Sequence, residues 1–470
     1  MNNSGSIETI TVLGAGYVGL TTAALFAHAG YTVYLVEPNE QRLQTIRSGK
    51  SFFFEEGLDP IIEHAVAQKT LIPTDSYETC IAESQIVFSC VGTPDNPDGS
   101  SNLSYIFAAA KATAQHAKSD LIYVQKSTVP VGTGAKLQTL FQELGASIQY
   151  VSNPEFLREG MALYDTLFFD RVVVGSTDTA ANEKVLDVYR HVEAIRPAMI
   201  ELSGVRTDRP ANTSVDLARR STESASKYLT TQTLESAELV KVTSNAFLAL
   251  KISFANSIAV LADRTGGDFR EIVQAVGADP RIGSLLCNGR GYGGGCFPKD
   301  VSGLIASGLD NGVELDIVQA TQRVNSAMPG YIVEKLLSAF AGDMTGKKVA
   351  VLGLSFKVGT SDARKSPGVA IANLLVRAGA TVFAYDPEAR QEADEILVSE
   401  VTVTKTMAEA IAQADAVLIT TGWPEFITHG ASEYAQQLQG AKILFDTTNS
   451  YDREPVRATD LQYMAVGGKL

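Results

Sequence analysis

The feature that most limits how this chain can fold is a run of glycines between a strand pattern and a helix pattern. The run begins at Gly14, directly after the apolar, β-branched segment Thr9–Leu13, and a helical pattern follows it as far as His28. A second apolar segment, Thr32–Val36, then ends at Glu37. Strand, glycine turn, helix, strand and acid in this order predict a βαβ unit of the kind that binds dinucleotides.

The residues of this turn have separate predicted roles. Gly14 permits the tight turn, Gly16 lets a pyrophosphate approach the helix N-terminus, and Gly19 lets helix and strand pack closely. Glu37 is expected to accept hydrogen bonds from the adenosine ribose, and a carboxylate there disfavours a 2′-phosphate, so NAD is expected rather than NADP. The predicted cofactor-binding residues of this region are Gly14, Gly16, Tyr17, Val18, Gly19, Glu37 and Arg42.

Length and composition indicate a globular protein of several domains. The chain has 470 residues, 45% of them hydrophobic and 20% charged, and its net charge is −14. This charge makes nucleic acid and anionic membranes poor partners. The N-terminus lacks the basic and apolar parts of a signal peptide, and the apolar stretch Ala246–Ala262 is interrupted by Lys251. We therefore expect a cytoplasmic protein in which that stretch is a core helix.

The four cysteines, Cys80, Cys90, Cys287 and Cys296, form no CxxC pair, and the five histidines are scattered. Neither a disulfide framework nor a metal site is expected.

The order of the patterns predicts an α/β fold, with two Rossmann-like doubly wound domains joined by a central helical region. In the central region an apolar helix face is predicted, either for interdomain core or for a subunit contact, because apolar residues recur at helical spacing at Leu239, Val242, Phe247, Leu250 and Phe254. The predicted divisions are an NAD-binding domain (1–205), a polar insertion or loop (206–232), a helical dimerisation region (233–335) and a second Rossmann-like domain that binds the nucleotide sugar (346–470).

A lone thiol lies in the glycine-rich run Gly291–Asp300. Four glycines precede Cys296 within five residues, and Lys299 and Asp300 follow it. The glycines let a ligand approach the backbone, and the lysine favours a thiolate, which is the reactive form of cysteine. The pattern is typical of a nucleophile, and the alternative is a buried free cysteine in a turn.

Two further pairs of residues are candidates for catalysis. Lys241 and Asn245 share one face of a predicted helix and would stabilise an oxyanion, unless they belong to a solvated helix face. Glu155 and Glu159 follow a predicted strand, where ligands bind in an open α/β sheet, and Glu155 is a candidate general base. The alternative is a surface helix start with favourable dipole placement.

Two segments also follow predicted strands, Gly92-Thr93-Pro94 and Lys126–Thr133. Their hydroxyl and backbone groups are candidates to line the nicotinamide and ribose.

Together these motifs resemble the UDP-glucose/GDP-mannose 6-dehydrogenase family over nearly the whole chain. The matching runs are GAGYVGL, GTP, KSTVPVGT, NPEFLREG, DPRIG, GYGGGCFPKD and GLSFK. The ending Phe297–Asp300 favours the UDP-glucose branch of the family over the GDP-mannose branch.

The resemblance implies a four-electron oxidation of the sugar C6 alcohol with two NAD, through a thiohemiacetal and a thioester on Cys296. It implies a small-molecule nucleotide sugar as partner and a homodimer or higher oligomer, with Arg281 reaching the substrate of the other subunit. The implied catalytic residues are Cys296, Lys241, Asn245, Asp300, Glu155 and Thr128. The implied substrate contacts are Glu155, Phe156, Leu157, Glu159, Lys241, Asn245, Arg281, Tyr292, Gly293, Cys296, Phe297 and Lys357. Thr93, Thr128, Glu159, Lys299 and Arg364 complete the predicted cofactor site.

One departure from the family pattern bears on the substrate. Where the family commonly has Asp-Gly-Arg-Asn, this chain has Asp446-Thr447-Thr448-Asn449, so Thr448 replaces an arginine. Three alternatives stay open: a dehydrogenase for GDP-mannose or a UDP-amino sugar, a two-electron hydroxyacid dehydrogenase, and a non-catalytic sugar-nucleotide-binding homologue. A two-electron enzyme has no need of Cys296.

Overall fold

The computed structural model describes residues 7–118, 120–205, 227–285 and 289–468. The described residues form two compact units, an N-terminal unit up to Ser244 and a C-terminal unit from Asn245. The division falls inside the helix Leu234–Thr265. It does not coincide with either end of the predicted central region.

The N-terminal unit is built on a sheet of eight strands in the order β3-β2-β1-β4-β5-β6-β7-β8. Neighbouring strands are parallel except for β6 and β7. The strands are β1 Thr9–Leu13, β2 Thr32–Val36, β3 Leu71–Thr74, β4 Ile86–Ser89, β5 Leu121–Gln125, β6 Ile148–Ser152, β7 Val172–Gly175 and β8 Tyr228–Thr231.

Helices cover both faces of this sheet, as a parallel sheet requires. Ile10 and Val12 of β1 belong to an apolar cluster on one face, and Leu13 belongs to a cluster on the other. The helices are α1 Tyr17–His28, α2 Glu40–Arg47, α3 Leu58–Ala67, α4 Glu78–Glu83, α5 Ser104–His116, α6 Thr133–Glu143, α7 Ala162–Leu167, α8 Thr179–Ala194 and α9 Arg196–Ser203, followed by α10 Leu234–Thr265, which continues into the other unit.

The prediction of a polar loop over 206–232 is wrong at its C-terminal end. Strand β8 lies there and pairs in parallel with β7, with Val172 opposite Tyr228. The short aromatic and β-branched segment Tyr-Leu-Thr-Thr suits this edge position, where the ladder supplies partners for its backbone. Residues 206–226 of the predicted loop lie outside the described residues.

The C-terminal unit contains a six-stranded parallel sheet in the order β11-β10-β9-β12-β13-β14. This is the strand order of a doubly wound Rossmann sheet, as the sequence predicts. The strands are β9 Lys348–Leu352, β10 Thr381–Tyr385, β11 Thr402–Val403, β12 Ala416–Ile419, β13 Ile443–Asp446 and β14 Gln462–Ala465. The helices that follow α10 are α11 Phe269–Gly277, α12 Phe297–Asp310, α13 Asp316–Ala339, α14 Pro367–Arg377, α15 Arg390–Asp394, α16 Met407–Ile411, α17 Pro424–Ile427 and α18 Ala431–Gln437, with a 3-10 turn at Glu454–Ala458.

Much of the apolar face that the sequence predicts on helix α10 is exposed. Val242 is buried, but Phe247 and Phe254 are 59% and 53% exposed. Its buried residues in the C-terminal unit are mostly small, such as Ala249 and Ala255, because short side chains allow close helix packing. By length and composition alone α10 could cross a membrane, and half of its most apolar window is buried in the protein.

Candidate active site

The glycine turn after β1 has the geometry that its spacing predicts. Gly14 has φ +89°, and its N–H donates to the carbonyl oxygen of Val36 at 2.8 Å. A Cβ on Gly14 would lie 2.9 Å from the Cys90 carbonyl oxygen, and one on Gly19 would lie 1.8 Å from the Gly14 carbonyl oxygen. Around a Cβ on Gly16 there is open space. Two of the glycines are therefore needed for packing, and the third leaves room for a ligand.

Glu37 ties this turn to the end of β2. Its buried carboxylate accepts from the N–H groups of Ala15 at 3.2 Å and Asn39 at 3.0 Å. Two bonds leave acceptor capacity on a carboxylate for ribose hydroxyls. The first turn of α1 contains no acid, and its N-cap, Gly16, has no side chain, so the helix N-terminus suits a phosphate. These residues fit NAD.

Hydrogen bonds join the ends of β4 and β5, where Thr93 and Thr128 follow. The Ser127 hydroxyl donates to the Val91 carbonyl oxygen at 2.7 Å, and the Ser127 N–H donates to the Ser89 carbonyl oxygen at 3.0 Å. Thr93 is buried and Thr128 is half-buried. Both threonines thus lie at the carboxyl edge of the sheet, where ligands bind in this fold class.

Lys241 and Glu155 form a buried ion pair in the N-terminal unit. The Lys241 Nζ lies 2.9 Å from Glu155 Oε1, and both side chains are less than 10% exposed. The ammonium also lies 5.6 Å from the centre of the Phe156 ring. This burial excludes the alternatives of a solvated helix face for Lys241 and of a surface helix start for Glu155. The buried cation can stabilise an oxyanion, and the carboxylate beside it can accept a proton at the same place.

In the C-terminal unit, Cys296 is the N-cap residue of α12 and is half-buried. The N-terminal end of a helix carries partial positive charge, which favours a thiolate. Close packing accounts for the glycines before it: a Cβ on Gly294 would lie 2.8 Å from the Phe356 ring, and one on Gly295 would lie 2.6 Å from the Arg364 guanidinium. Gly294 also has φ +82°, a backbone conformation that favours glycine, so the run before the thiol depends on its glycines.

Asp300 lies one turn into α12 and joins two other predicted site residues. Its carboxylate accepts from Asn245 Nδ2 at 2.6 Å and from Lys299 Nζ at 2.7 Å, and it is almost fully buried. The amide and the ammonium hold the carboxylate in a defined orientation, suited to directing a water molecule.

The remaining predicted residues of the C-terminal unit differ in their surroundings. Arg281 pairs with Asp279 at 2.6 Å and its side chain is 88% exposed, whereas Arg364 pairs with Asp362 at 2.7 Å. The Lys357 Nζ lies 5.6 Å from the centre of the Phe356 ring. Tyr292, Gly293 and Phe297 lie in or next to the glycine run, and Leu157 and Glu159 follow Glu155 in the N-terminal unit.

The sequence interpretation missed Arg290 and Asn325. Burial lowers the pKa of Arg290 to about 10, and its guanidinium donates to the Phe356 carbonyl oxygen at 2.6 Å. The Asn325 amide accepts from the Tyr292 N–H at 2.7 Å and donates to the Tyr292 carbonyl oxygen at 3.0 Å. Both brace the glycine run, and only the position of Arg290 directly before the run hinted at this.

Comparison with known proteins identifies three family domains along the chain. Residues 8–193 match the NAD binding domain of the UDP-glucose/GDP-mannose dehydrogenase family, residues 235–327 its central domain, and residues 350–453 its UDP binding domain. The chain belongs to the UDP-glucose/GDP-mannose dehydrogenase family. It is therefore an NAD-dependent oxidoreductase, as its sequence predicts.

Relatives within the family are similar over their full length. The chain is 37% identical to a UDP-glucose 6-dehydrogenase of Bacillus subtilis over 98% of both chains. It is 36% identical to a UDP-glucose 6-dehydrogenase of Rhizobium meliloti over 97% of this chain and 99% of the relative. A solved UDP-glucose dehydrogenase from Pyrobaculum islandicum is 34% identical, with 99% of each chain covered and a TM-score of 0.83.

Proposed function

We propose that this protein is a UDP-glucose 6-dehydrogenase that oxidises the C6 alcohol to the carboxylate of UDP-glucuronate through a covalent bond to Cys296. The observation that carries this proposal is the placement of Cys296 at the N-terminus of α12, with Asp300 one turn away. The names of the relatives support UDP-glucose as the substrate.

NAD would supply the hydride acceptor when bound, one molecule for each of the two oxidations. The residues that would hold it are those of the glycine turn and Glu37, with Thr93 and Thr128 at the neighbouring strand ends. The Lys241 ammonium stabilises the C6 oxyanion as the alcohol proton passes to water.

Cys296 explains how the second oxidation proceeds. Its thiolate attacks the aldehyde carbon and forms a C–S bond, which gives a thiohemiacetal. Loss of a second hydride converts this adduct to a thioester. Water then attacks the thioester carbon, the C–S bond breaks, and the carboxylate and the thiol are released.

The carboxylates prepare the water for this last step. Glu155 accepts a proton from the attacking water, while Asp300, held by Asn245 and Lys299, orients it. The Lys241 ammonium, 2.9 Å from Glu155, stabilises the negative charge of the tetrahedral intermediate.

The stoichiometry of NADH tests this function. We expect two NADH for each UDP-glucose consumed, and a covalent adduct on Cys296 in acid-quenched enzyme by mass spectrometry. One NADH for each sugar would show a two-electron dehydrogenase. A panel of UDP- and GDP-sugars tests the substrate, and faster oxidation of GDP-mannose or a UDP-amino sugar would contradict UDP-glucose.

We also propose a homodimer or higher oligomer in the cytoplasm. Phe247, Phe254 and Leu261 of α10 are each more than half exposed and recur every seven residues, which forms one apolar stripe. Light scattering of the purified protein tests the assembly, and a monomer at micromolar concentration would contradict it. Fractionation of cells tests the location. Appearance of the protein in the membrane fraction would contradict a cytoplasmic location.

A further inference from the structure

A buried carboxylate in the N-terminal unit has no part in the chemistry proposed above. Glu238 lies on α10 one turn before Lys241 and is 3% exposed. Its Oε2 accepts from the Gly132 N–H at 2.7 Å, and its Oε1 accepts from the Gly134 N–H at 2.8 Å. The two carboxylate oxygens therefore hold two backbone amides that belong to another structural element.

The two amides belong to the N-terminal end of α6. Gly132 is the N-cap of that helix, has φ +85°, and has no side chain with which to cap it. Glu238 supplies the missing cap from α10, because a carboxylate at a helix N-terminus both accepts hydrogen bonds and opposes the helix dipole. The fit is tight, since a Cβ on Gly134 would lie 3.1 Å from Glu238 Oε1 and 2.8 Å from the Tyr150 ring.

The capped end of α6 is continuous with the loop that carries Thr128. Thr133 closes this loop through its N–H and hydroxyl, which both donate to the Pro130 carbonyl oxygen, at 3.2 and 2.6 Å. Val129 is buried in the apolar cluster on that face of the sheet. Moving the Gly132–Gly134 backbone would therefore move the Thr128 loop.

We propose that Glu238 is a positioning residue that fixes Lys241 relative to the Thr128 loop by holding α10 to the N-terminus of α6. Residues three apart on a helix lie on neighbouring positions of one face, so a shift at Glu238 is passed to Lys241. The inference rests on the proposed role of Lys241 in catalysis.

Charged and titratable groups of each packed element act on Glu238: Glu235 on α10, Lys136 on α6 and Tyr150 on β6. Burial is the largest influence and raises the pKa of Glu238 to about 7. Protonation converts one oxygen from an acceptor into a hydroxyl that faces an N–H group. The clamp should therefore loosen as the pH falls through about 7.

The test compares Glu238→Gln with Glu235→Gln, a matched change at an exposed position on the same helix. For Glu238→Gln we expect a kcat at pH 8 lower by about tenfold, the effect of one hydrogen bond to a charged group, with KM values for UDP-glucose and NAD little changed. Glu235→Gln should leave kcat and KM at pH 8 unchanged, and it should only lower the pH at which kcat begins to fall, because Glu235 raises the pKa of Glu238. Wild-type kcat should fall below about pH 7, and this acid limb should flatten in Glu238→Gln.

Hydrogen exchange of the apoprotein gives a readout that does not depend on turnover. Peptides that contain Gly132 and Gly134 should exchange faster in Glu238→Gln than in wild type at pH 8. In wild type, after correction for the intrinsic rate, their protection should fall near pH 7. Unchanged protection in Glu238→Gln would overturn the clamp, and a normal kcat with lost protection would overturn its role in positioning Lys241.

Glu238→Asp keeps the charge but is too short to reach both amides, so its kcat and protection should lie between those of wild type and Glu238→Gln. An equal loss of kcat in both variants together with a lowered melting temperature would show a merely structural residue. If wild-type enzyme produced no NADH from UDP-glucose, the proposed function would fail, while the exchange measurement would still test the clamp.

Discussion

The opening βαβ segments of the two units begin with the same backbone turn and then diverge. Gly14 and Gly353 both have positive φ, +89° and +112°. Each donates its N–H at 2.8 Å to the last residue of the neighbouring strand, Val36 in one unit and Tyr385 in the other. The first strand of each Rossmann sheet is therefore followed by the same kind of glycine turn.

An acid follows the second strand of each βαβ segment, Glu37 after β2 and Asp386 after β10. The two acids differ in how many hydrogen bonds they accept from the protein. Glu37 accepts from Ala15 at 3.2 Å and Asp386 accepts from Leu354 at 2.7 Å. Asp386 also accepts from the hydroxyl of Ser355 at 3.0 Å and from further N–H groups of Ser355, Glu388, Ala389 and Trp423. Asp386 thus serves the protein's own structure, whereas Glu37 retains acceptor capacity for a ligand.

The connection after the turn explains this difference. Helix α1 begins at Tyr17, three residues after Gly14, but α14 begins only at Pro367. The long connection carries Phe356 and Arg364, which pack against the glycines before Cys296. The turn that forms the predicted cofactor site in one unit therefore has a counterpart in the other unit that supports the candidate nucleophile.

Substituting the candidate nucleophile should have the largest effect, because it should abolish a function of the C-terminal unit while leaving NAD binding by the N-terminal unit intact. For Cys296→Ser we expect uronate formation to fall by about 10³-fold or more, since a serine hydroxyl is a far weaker nucleophile than a thiolate. NAD affinity, measured by calorimetry, should stay unchanged because the glycine turn lies in the N-terminal unit. Uronate production at the native rate would show that no covalent intermediate forms.

Removing Asp386 should destabilise the protein without altering cofactor choice. Asp386→Ala leaves several buried donors unpaired, and we expect a loss of about 3 kcal/mol or more in the free energy of unfolding. The measurements are urea denaturation and the affinities for NAD and NADP. A stable variant with altered NAD affinity would contradict the structural role that the comparison assigns to Asp386.

Removing the corresponding acid of the N-terminal unit, Glu37, should alter cofactor affinity more than stability. Glu37→Ala removes the predicted ribose acceptor, so NAD should bind about 10–100-fold more weakly and discrimination against NADP should relax. Affinities for both cofactors measure this, with Glu40→Ala, at an exposed position of α2, as the control. Unchanged values for both cofactors would remove the role of Glu37.

The smallest effect is expected at Thr448. Its hydroxyl donates to Asp446 Oδ1 at 2.8 Å, so an arginine there would lose this bond while gaining reach toward a phosphate or a sugar. For Thr448→Arg we expect KM for UDP-glucose to fall by about tenfold at most, with kcat little changed. Steady-state kinetics measure both constants, and a raised KM would show that the position does not face the substrate.

Short sequence patterns predicted the strands whose formation depends on residues close together along the chain. Strands β1 and β2 have the predicted bounds, because short apolar, β-branched runs next to glycines are local signals. Strand β8 was missed because four residues of edge strand form only when β7 offers a partner.

The outward face of α10 could not be predicted for a similar reason. Its sequence has large apolar residues on one side and small residues on the other, and helical periodicity does not say which side is buried. The structure buries the small side, because alanines such as Ala249 and Ala255 allow close packing.

The amino-acid sequence by itself determined the chemistry-bearing motifs, the α/β class and the glycine turn after β1, since each depends on residues close together along the chain. Only the tertiary structure decided which distant groups meet. Glu155 reaches Lys241, Asp300 reaches Asn245, and Glu238 reaches the N-terminus of α6. These contacts join residues more than fifty positions apart, and the packing of whole elements, which no short motif encodes, sets their distances.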